Sequence, residues 1–318
     1  MSSLTISAVM PAYNAEEYIG EALTAMLSQS RPPDEVIVVD DGSTDGTPDI
    51  LTGFRSDVRV VRQANQGVAG AMNRCFAEAR FAYVAKCDAD DVWTPTKLER
   101  QAESTRQHPE IDVSFGEARV FGKYAGRWGM GPEHSRAGVV GPQLLGRTLF
   151  AGNPICPSST FVRRSLFERL GPFRETRCED YDFWMRALRD DAIFHYDPTT
   201  FVNYRRHDSN VSSNKLAVHE SDLLVRRANT YLVSRRFARR VLAEDLFKVG
   251  RDLSDRERAD EARAFFHESL RQRPTAKGLA WALIVSVPAG LRRPLADSLV
   301  SIKRTLPFRA SALTSNGS

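Results

Sequence analysis

Short apolar runs alternate with stretches of helical periodicity through the first third of this chain, and that order leaves few architectures open. Ile6–Met10, Glu35–Val39, Val58–Val61 and Tyr83–Cys87 read as buried strands. Between them the spacing predicts helices over Ala15–Gln29 after a cap-like Asn14, over Thr47–Phe54 with Pro48 in the first turn, and over Gly67–Arg80. Strand and helix in strict alternation predict an α/β fold. Its central sheet should be mostly parallel, joined by right-handed crossovers, with a ligand crevice beyond the carboxyl ends of the strands.

The pattern then becomes mixed. A helix is expected over Pro95–Gln107 with Thr94 as its cap, a hairpin over Asp112–Gly129 turning at Lys123–Gly126, and a strand over Ser158–Val162. Helices at Arg164–Leu170, stopped by Gly171-Pro172, and at Glu179–Arg189 precede a closing strand at Thr200–Arg206. Residues 216–270 read as helical throughout. Charge changes at the same place: residues 1–214 carry 24 Lys and Arg against 29 Asp and Glu, whereas residues 215–318 carry 20 against 11. We therefore expect an acidic domain over 1–214 and a basic, mainly helical C-terminal region over 215–318. With 42% hydrophobic residues in 318, the chain is neither disordered nor fibrous. Its four cysteines lie far apart with no CxxC spacing, and no signal-like apolar run precedes Thr5, so a reducing cytoplasm is the expected location.

The acidic run Cys87-Asp88-Ala89-Asp90-Asp91-Val92-Trp93 directly follows a strand. Side chains alternate along extended chain, so Asp88 and Asp90 are expected on one side, close enough to share a hard, oxygen-seeking cation. The competing expectation is a solvated acidic turn. The first two strands end in Met10-Pro11-Ala12-Tyr13-Asn14 and Val39-Asp40-Asp41-Gly42-Ser43, and both tips should line the same crevice. There an aromatic face at Tyr13 can stack on a base, while Asp41 can accept a hydrogen bond from a ring N–H or a ribose hydroxyl. A packed tyrosine and a helix-capping turn are the plainer alternatives.

Taken together, MPAYNAEEYI, VIVVDDGSTDGT, NQGVAGAMN, CDADDVW, RCEDYDFWMRA and YRRHDSNVSSN resemble glycosyltransferase family 2. These motifs span residues 5–214 and are specific as a set. The resemblance implies the GT-A fold, a Rossmann-like, mostly parallel central sheet with flanking helices, here followed by a helical C-terminal extension. It implies a metal-dependent inverting enzyme that uses a nucleoside-diphosphate sugar donor, with Mn²⁺ or Mg²⁺ as cofactor. Pro11, Tyr13, Asp41 and Asp88 become the nucleotide-binding candidates, and Asp90 and His207 the metal candidates. Asp180 becomes the catalytic base, with Asn73, Glu179 and Arg205 as further substrate contacts. That chemistry needs a cation to neutralise the departing diphosphate and a second carboxylate to take the acceptor's proton. Absence of paired Cys and His argues against structural zinc. Many relatives carry Ala-Arg-Asn where this chain has Ala71-Met72-Asn73, so a basic donor contact is missing. No Gln-x-x-Arg-Trp signature of processive synthases occurs, which favours transfer of a single sugar in surface polysaccharide or glycoconjugate assembly.

Two other readings compete. A sugar-phosphate nucleotidyltransferase would share the alternating sheet, but Met10–Glu17 lacks the Gly-rich, basic loop that binds a triphosphate. A nucleotide- or nucleic-acid-binding module would use the basic tail, where stacking aromatics are sparse, so no nucleic acid is expected. The segment Leu279–Leu291 is the most apolar stretch yet too short to span a bilayer. Flanked by Lys277, Arg292 and Arg293, it either lies in the inner face of the cytoplasmic membrane, suiting a glycan or lipid-linked acceptor, or packs on the body or another subunit of an oligomer.

Overall fold

A computed structural model describes residues 4–131, 134, 136–210, 213–287, 290–292 and 294–295. The end of the tail, and Pro132, Glu133 and Ser135 of the Gly-rich loop after Trp128, lie outside the described residues. Contacts divide the chain into two compact units, Met1–Ala238 and Arg239–Ser318. The charge boundary near Asn214 falls inside the first unit.

The first unit begins with the expected alternation: β1 (Ile6–Ala12), α1 (Ile19–Leu27), β2 (Glu35–Asp40), α2 (Thr47–Thr52), β3 (Arg59–Arg62), α3 (Gly67–Glu78) and β4 (Tyr83–Lys86). There follow β5 (Val92–Trp93), α4 (Lys97–Gln107), β6 (Val113–Gly122), β7 (Gly126–Trp128), β8 (Gly138–Val139), α5 (Pro142–Ala151), β9 (Phe161–Arg163), α6 (Arg164–Leu170), α7 (Glu179–Arg189), β10 (Phe194–Arg206) and α8 (Lys215–Ala228). The strand order is β3-β2-β1-β4-β9-β6-β10-β5, with β7 on β6 and β8 on β10. Strands β3, β2, β1 and β4 run parallel, whereas β9 is antiparallel to both β4 and β6.

Period-two alternation sorts the side chains onto two faces of this sheet. Val9, Ile37, Val39 and Val84 pack with Met72 and Phe76 of α3 and Phe183 and Trp184 of α7. Ala8, Met10, Val36 and Val38 pack on the opposite side with Leu23 and Met26 of α1 and Leu98 of α4. Each fully buried aromatic here, such as Phe115 or Phe183, contributes about 2–3 kcal/mol of hydrophobic stabilisation. Gly116 is forced by this packing, because a Cβ there would sit 2.2 Å from the Phe201 ring.

Several local expectations are corrected. Helix α1 starts at Ile19 because Asn14 sits at φ +47° and turns its Oδ1 to the Thr44 N–H, 2.9 Å away, instead of capping. Thr94 hydrogen-bonds the Phe201 carbonyl, so α4 begins only at Lys97. Pro157–Ser159 is a 3₁₀ turn, which delays the strand to Phe161. The helical stretch after 215 is broken, with Thr230–Leu232 forming a short 3₁₀ turn between α8 and α9 (Arg235–Asp255). In the second unit α9 continues into α10 (Ala259–Gln272) and α11 (Ala276–Ile284), which share the aromatic cluster Phe247, Phe266 and Trp281.

Lys97 is an unusual core residue. It is fully buried, donates to Gln101 Oε1 at 2.8 Å and the Thr160 carbonyl at 3.1 Å, and lies 4.2 Å from the Trp93 ring centre. Burial pulls its pKa down to about 7. The native state therefore sheds this proton before the unfolded chain does, so stability should climb from pH 7 towards pH 10. Lys97→Met is expected to remove that climb, gaining on the order of 3–5 kcal/mol on wild type at pH 7 relative to pH 10. Denaturant unfolding at the two pH values checks this, and parallel curves for both proteins would refute it.

Candidate active site

The tips of β1 and β2 are laced together. Asp41 N–H donates to the Ala12 carbonyl at 2.8 Å, and Asn14 N–H to Ser43 Oγ at 3.0 Å. Gly42 takes φ +79°, and a Cβ there would meet the Asn65 nitrogen at 3.0 Å. Asp41 is buried, with Oδ1 accepting from Gln63 Nε2 at 2.8 Å and Gln66 N–H at 2.9 Å. Pro11 is half-buried in β1, paired with Val39. Beside them Tyr13 stands 52% exposed, which leaves its ring accessible to a ligand.

The acidic run is a turn, contrary to the alternation expected of it. Strand β4 ends at Lys86, and Asp91 N–H donates back to the Asp88 carbonyl at 3.1 Å. Asp88 and Asp90 consequently take different partners. Asp88 Oδ1 lies 2.8 Å from Lys86 Nζ, and Ser158 Oγ donates to its Oδ2 at 3.1 Å. Asp90 Oδ2 meets His207 Nε2 at 2.9 Å and Asn210 Nδ2 at 3.0 Å. The antiparallel pairing of β5 with β10 through Trp93 and Val202 delivers His207 there, because β10 overshoots its neighbour. Asp91 is wholly buried, with Oδ1 accepting the Arg205 N–H at 2.9 Å, a backbone-supporting role. Burial, reinforced by Asp88, raises Asp90 above the usual carboxylate range, a cost that a bound cation would relieve.

Asp90 and His207 offer a carboxylate and an imidazole to one point. Among the described residues no group of three or more His, Cys, Asp or Glu side chains is arranged to hold an ion. A pair of protein ligands still fits Mg²⁺ or Mn²⁺, which are commonly held by one or two side chains with substrate phosphates and water completing the shell. Arg205 is committed differently: its Nε donates to the Asp90 carbonyl at 2.9 Å, it pairs with Glu21, and its guanidinium lies over Tyr18 and Phe121.

Glu179 and Asp180 open α7. Asn153 Nδ2 donates to Asp180 Oδ2 at 2.9 Å. Lys86, Glu179, Asp180 and Trp184 line one pocket, with Met72 and Phe173 among its apolar walls. Burial pulls the Lys86 amine down, but Asp88, Glu179 and Asp180 more than offset this and hold it above its ordinary range. Burial raises Asp180, with Lys86 opposing the rise, and raises Glu179 to about 7 with a contribution from Asp180. Asp182 is engaged by Arg174 and Arg186. Asn73 spends its amide on the Phe173 backbone, donating from Nδ2 at 3.0 Å and accepting at Oδ1 at 2.8 Å.

Known proteins carry the same pattern. The profile described as Glycosyl transferase family 2 matches residues 7–171, more than half of the chain. The chain belongs to glycosyltransferase family 2. Escherichia coli WfgD, named a UDP-Glc:alpha-D-GlcNAc-diphosphoundecaprenol beta-1,3-glucosyltransferase, is 30% identical over 68% of this chain and 82% of its own length. For several other curated relatives the match spans only about a third to two fifths of their length. A crystal structure of S. aureus TarS 1-349 with UDP-GlcNAc superposes with a TM-score of 0.67 at 19% identity, covering 95% of this chain and 92% of that one. The mannosyltransferase PcManGT from Pyrobaculum calidifontis, solved with GDP-Man and Mn²⁺, gives 0.53 at 18% identity over 93% and 86%. The fold is thus of the GT-A type, a mixed, mostly parallel sheet with flanking helices.

Within this family 2 enzyme the structure brings Asp88, Asp90, Arg205 and His207 around one turn, and sets Glu179 and Asp180 in one pocket with Lys86, the partner of Asp88. Asn73 lies on α3, turned to Phe173. Reasoning from sequence missed Lys86, Ser158 and Asn210. Lys86 had a signal, a lone charge inside the apolar run Tyr83–Cys87; the other two had none beyond membership of a motif.

Glu179 yields a stability test. Its proton stays on the native protein up to about pH 7 but leaves the unfolded chain near 4.5, so its contribution is present below 4.5 and lost as pH rises through 7. Glu179→Gln should gain about 2–3 kcal/mol on wild type between pH 4.5 and pH 7.5 by denaturant titration. An unchanged gap would contradict the burial of this carboxyl.

Proposed function

We propose that this chain is a divalent-metal-dependent inverting glycosyltransferase. It moves one sugar from a nucleoside-diphosphate donor to a hydroxyl acceptor, in the assembly of a bacterial-type surface polysaccharide or glycoconjugate. The observation that carries this reading is that one buried lysine at the carboxyl edge of the sheet pairs with Asp88 and shares a pocket with Glu179 and Asp180. Tyr13 and Asp41 would hold the base, Asp88 the ribose side of the donor, and Pro11 the backbone beneath them. Asp90 and His207 would hold Mn²⁺ or Mg²⁺, which neutralises charge on the leaving diphosphate when bound. Asp180 would accept the proton of the attacking hydroxyl as the bond to the anomeric carbon forms opposite the leaving group, so the configuration inverts. Its raised pKa brings the base closer to the working pH, where proton acceptance is most effective. Glu179, Asn73 and Arg205 would then act on substrate indirectly, through Lys86, Phe173 and Asp90.

What the relatives are named for supports the same chemistry. WfgD is named for a UDP-linked donor and a diphosphoundecaprenol acceptor, and TarS and PcManGT were solved with UDP-GlcNAc and with GDP-Man and Mn²⁺. A thermal-shift series with UDP, GDP and their sugars, each with and without Mn²⁺, tests the donor half, since ligands of the native state raise its apparent stability. Wild type and Asp180→Asn should both be stabilised, and Asp90→Ala should lose the Mn²⁺-dependent part. With the stabilising sugar nucleotide, Asp180→Asn should release nucleoside diphosphate roughly 10²–10⁴-fold more slowly than wild type. Release at the wild-type rate would remove Asp180 from the base role.

A lipid-linked acceptor would place the enzyme at the inner face of the cytoplasmic membrane as a peripheral protein. Among the described residues no helix is long and apolar enough to cross a membrane. Leu279 and Leu283, one turn apart on α11, are 54% and 69% exposed, while Trp281 and Ile284 are buried. Residues 269–318 hold eight Lys and Arg against a single Asp, a charge suited to anionic lipid. Leu279→Glu with Leu283→Glu should therefore abolish co-sedimentation with phosphatidylglycerol-containing vesicles; binding equal to wild type would sink the membrane contact.

A further inference from the structure

Lys86 is the charged residue of the site to which the chemistry above gives no role of its own. It sits in β4 at 6% exposure, parallel to β1 with Val9 as its partner across the ladder. An unpaired ammonium so buried would cost several kcal/mol, and one partner removed from such a cluster leaves an uncompensated charge. Its neighbours come from both halves of the site. Asp88 Oδ1 at 2.8 Å belongs to the turn after β4, while Glu179 and Asp180 belong to α7 and share its pocket.

We infer that Lys86 is the positioning residue that joins the two halves, serving as common counter-ion to Asp88 on the donor side and to Glu179 and Asp180 on the acceptor side. This rests on the reading of Asp180 as the base. Lys86 touches no reacting atom in this role. Its charge opposes the rise that burial imposes on Asp180 and Glu179, which favours the form of Asp180 that can take up a proton. It also holds Asp88 between its own Nζ and Ser158 Oγ, at 2.8 and 3.1 Å, which fixes the donor-side acid in one rotamer. The other charged or titratable groups facing the α7 pair are Asp88 and the Cys178 thiol, itself 3.3 Å from Asp222 Oδ1 of α8. None of these is a cation. Lys86 is the cation among the groups bearing on Asp180, and it favours the ionised base together with the Tyr181 N–H and the Asn153 amide.

A stability cycle on the full chain tests this without any substrate. Wild type, Lys86→Met, the pair Glu179→Gln with Asp180→Asn, and the triple variant are unfolded by denaturant at pH 5 and pH 8. Lys86→Met should raise the unfolding constant at least tenfold more at pH 8, where the carboxylates are ionised, than at pH 5. In the Glu179→Gln, Asp180→Asn background that excess should fall by at least half in its logarithm. An equal loss at both pH values makes Lys86 a packing residue, and an excess undiminished in the neutralised background detaches it from the α7 acids; either result overturns the proposal. Should Lys86→Met fail to fold, the triple variant decides: folding there supports the charge role, and failure there overturns it. Sugar transfer is not read in this cycle. A transfer-competent Asp180→Asn enzyme would defeat the base assignment while leaving the cycle's outcome as measured.

Discussion

The central constraint on this molecule is electrostatic: one ammonium, Lys86, lies within a cluster of carboxylates that water does not fully reach. Burial alone would drive the lysine to lose its proton and the acids to gain theirs, leaving a neutral site of little use for phosphate or proton chemistry. Ion pairing reverses the first tendency and limits the second. Asp88 is held close to Lys86, Asp180 is restrained by it, and only Glu179, with Asp180 beside it, is pushed up to about 7. Lys86 thus opposes the effect of burial on the α7 acids, which distinguishes the site from a solvated acidic turn.

Such a cluster requires strands and helices that converge from distant parts of the sequence. β1 lies between β2 and β4, so Tyr13, Asp41 and Asp88 emerge from neighbouring strands at one edge. β9, inserted antiparallel between β4 and β6, brings Ser158 and the preceding loop with Asn153 against the acids. β10 then runs beyond β5 and carries His207 to Asp90. Each contribution crosses a long sequence separation, and its geometry depends on the core packed on both faces of the sheet.

The alternating elements were legible in the residues themselves, because buried parallel strands are apolar throughout and crossover helices show their period plainly. Ile6, Glu35 and Tyr83 open strands where the pattern places them, and Arg164–Leu170 and Glu179–Arg189 are helices with the expected ends. What failed was local and polar. Asn14 and Thr94 have the composition of helix caps, yet both side chains found partners remote in sequence. Period two implied a shared side for Asp88 and Asp90, but it holds only while the chain is extended, and the turn closed by Asp91 N–H onto Asp88 ends the strand first. The candidate acids were visible as motifs. The lysine that unites them was concealed by its placement in a run that otherwise reads as core.

Arg205 and Asn73 illustrate a more general point about motif residues. Arg205 is a guanidinium fork well suited to diphosphate, but its donors and ring face are occupied by Asp90, Glu21, Tyr18 and Phe121. It closes the acid turn from behind and so determines where Asp90 points. Asn73 clamps both polar atoms of Phe173, which fixes a wall of the pocket containing Asp180. In both cases the side chain shapes the site through a neighbour. This also bears on Met72, which stands where the resemblance led to an expected arginine and here lines the same pocket with an apolar surface. Met72 adds no charge to the cluster, so the cationic balance near Asp88 and Asp180 falls to Lys86.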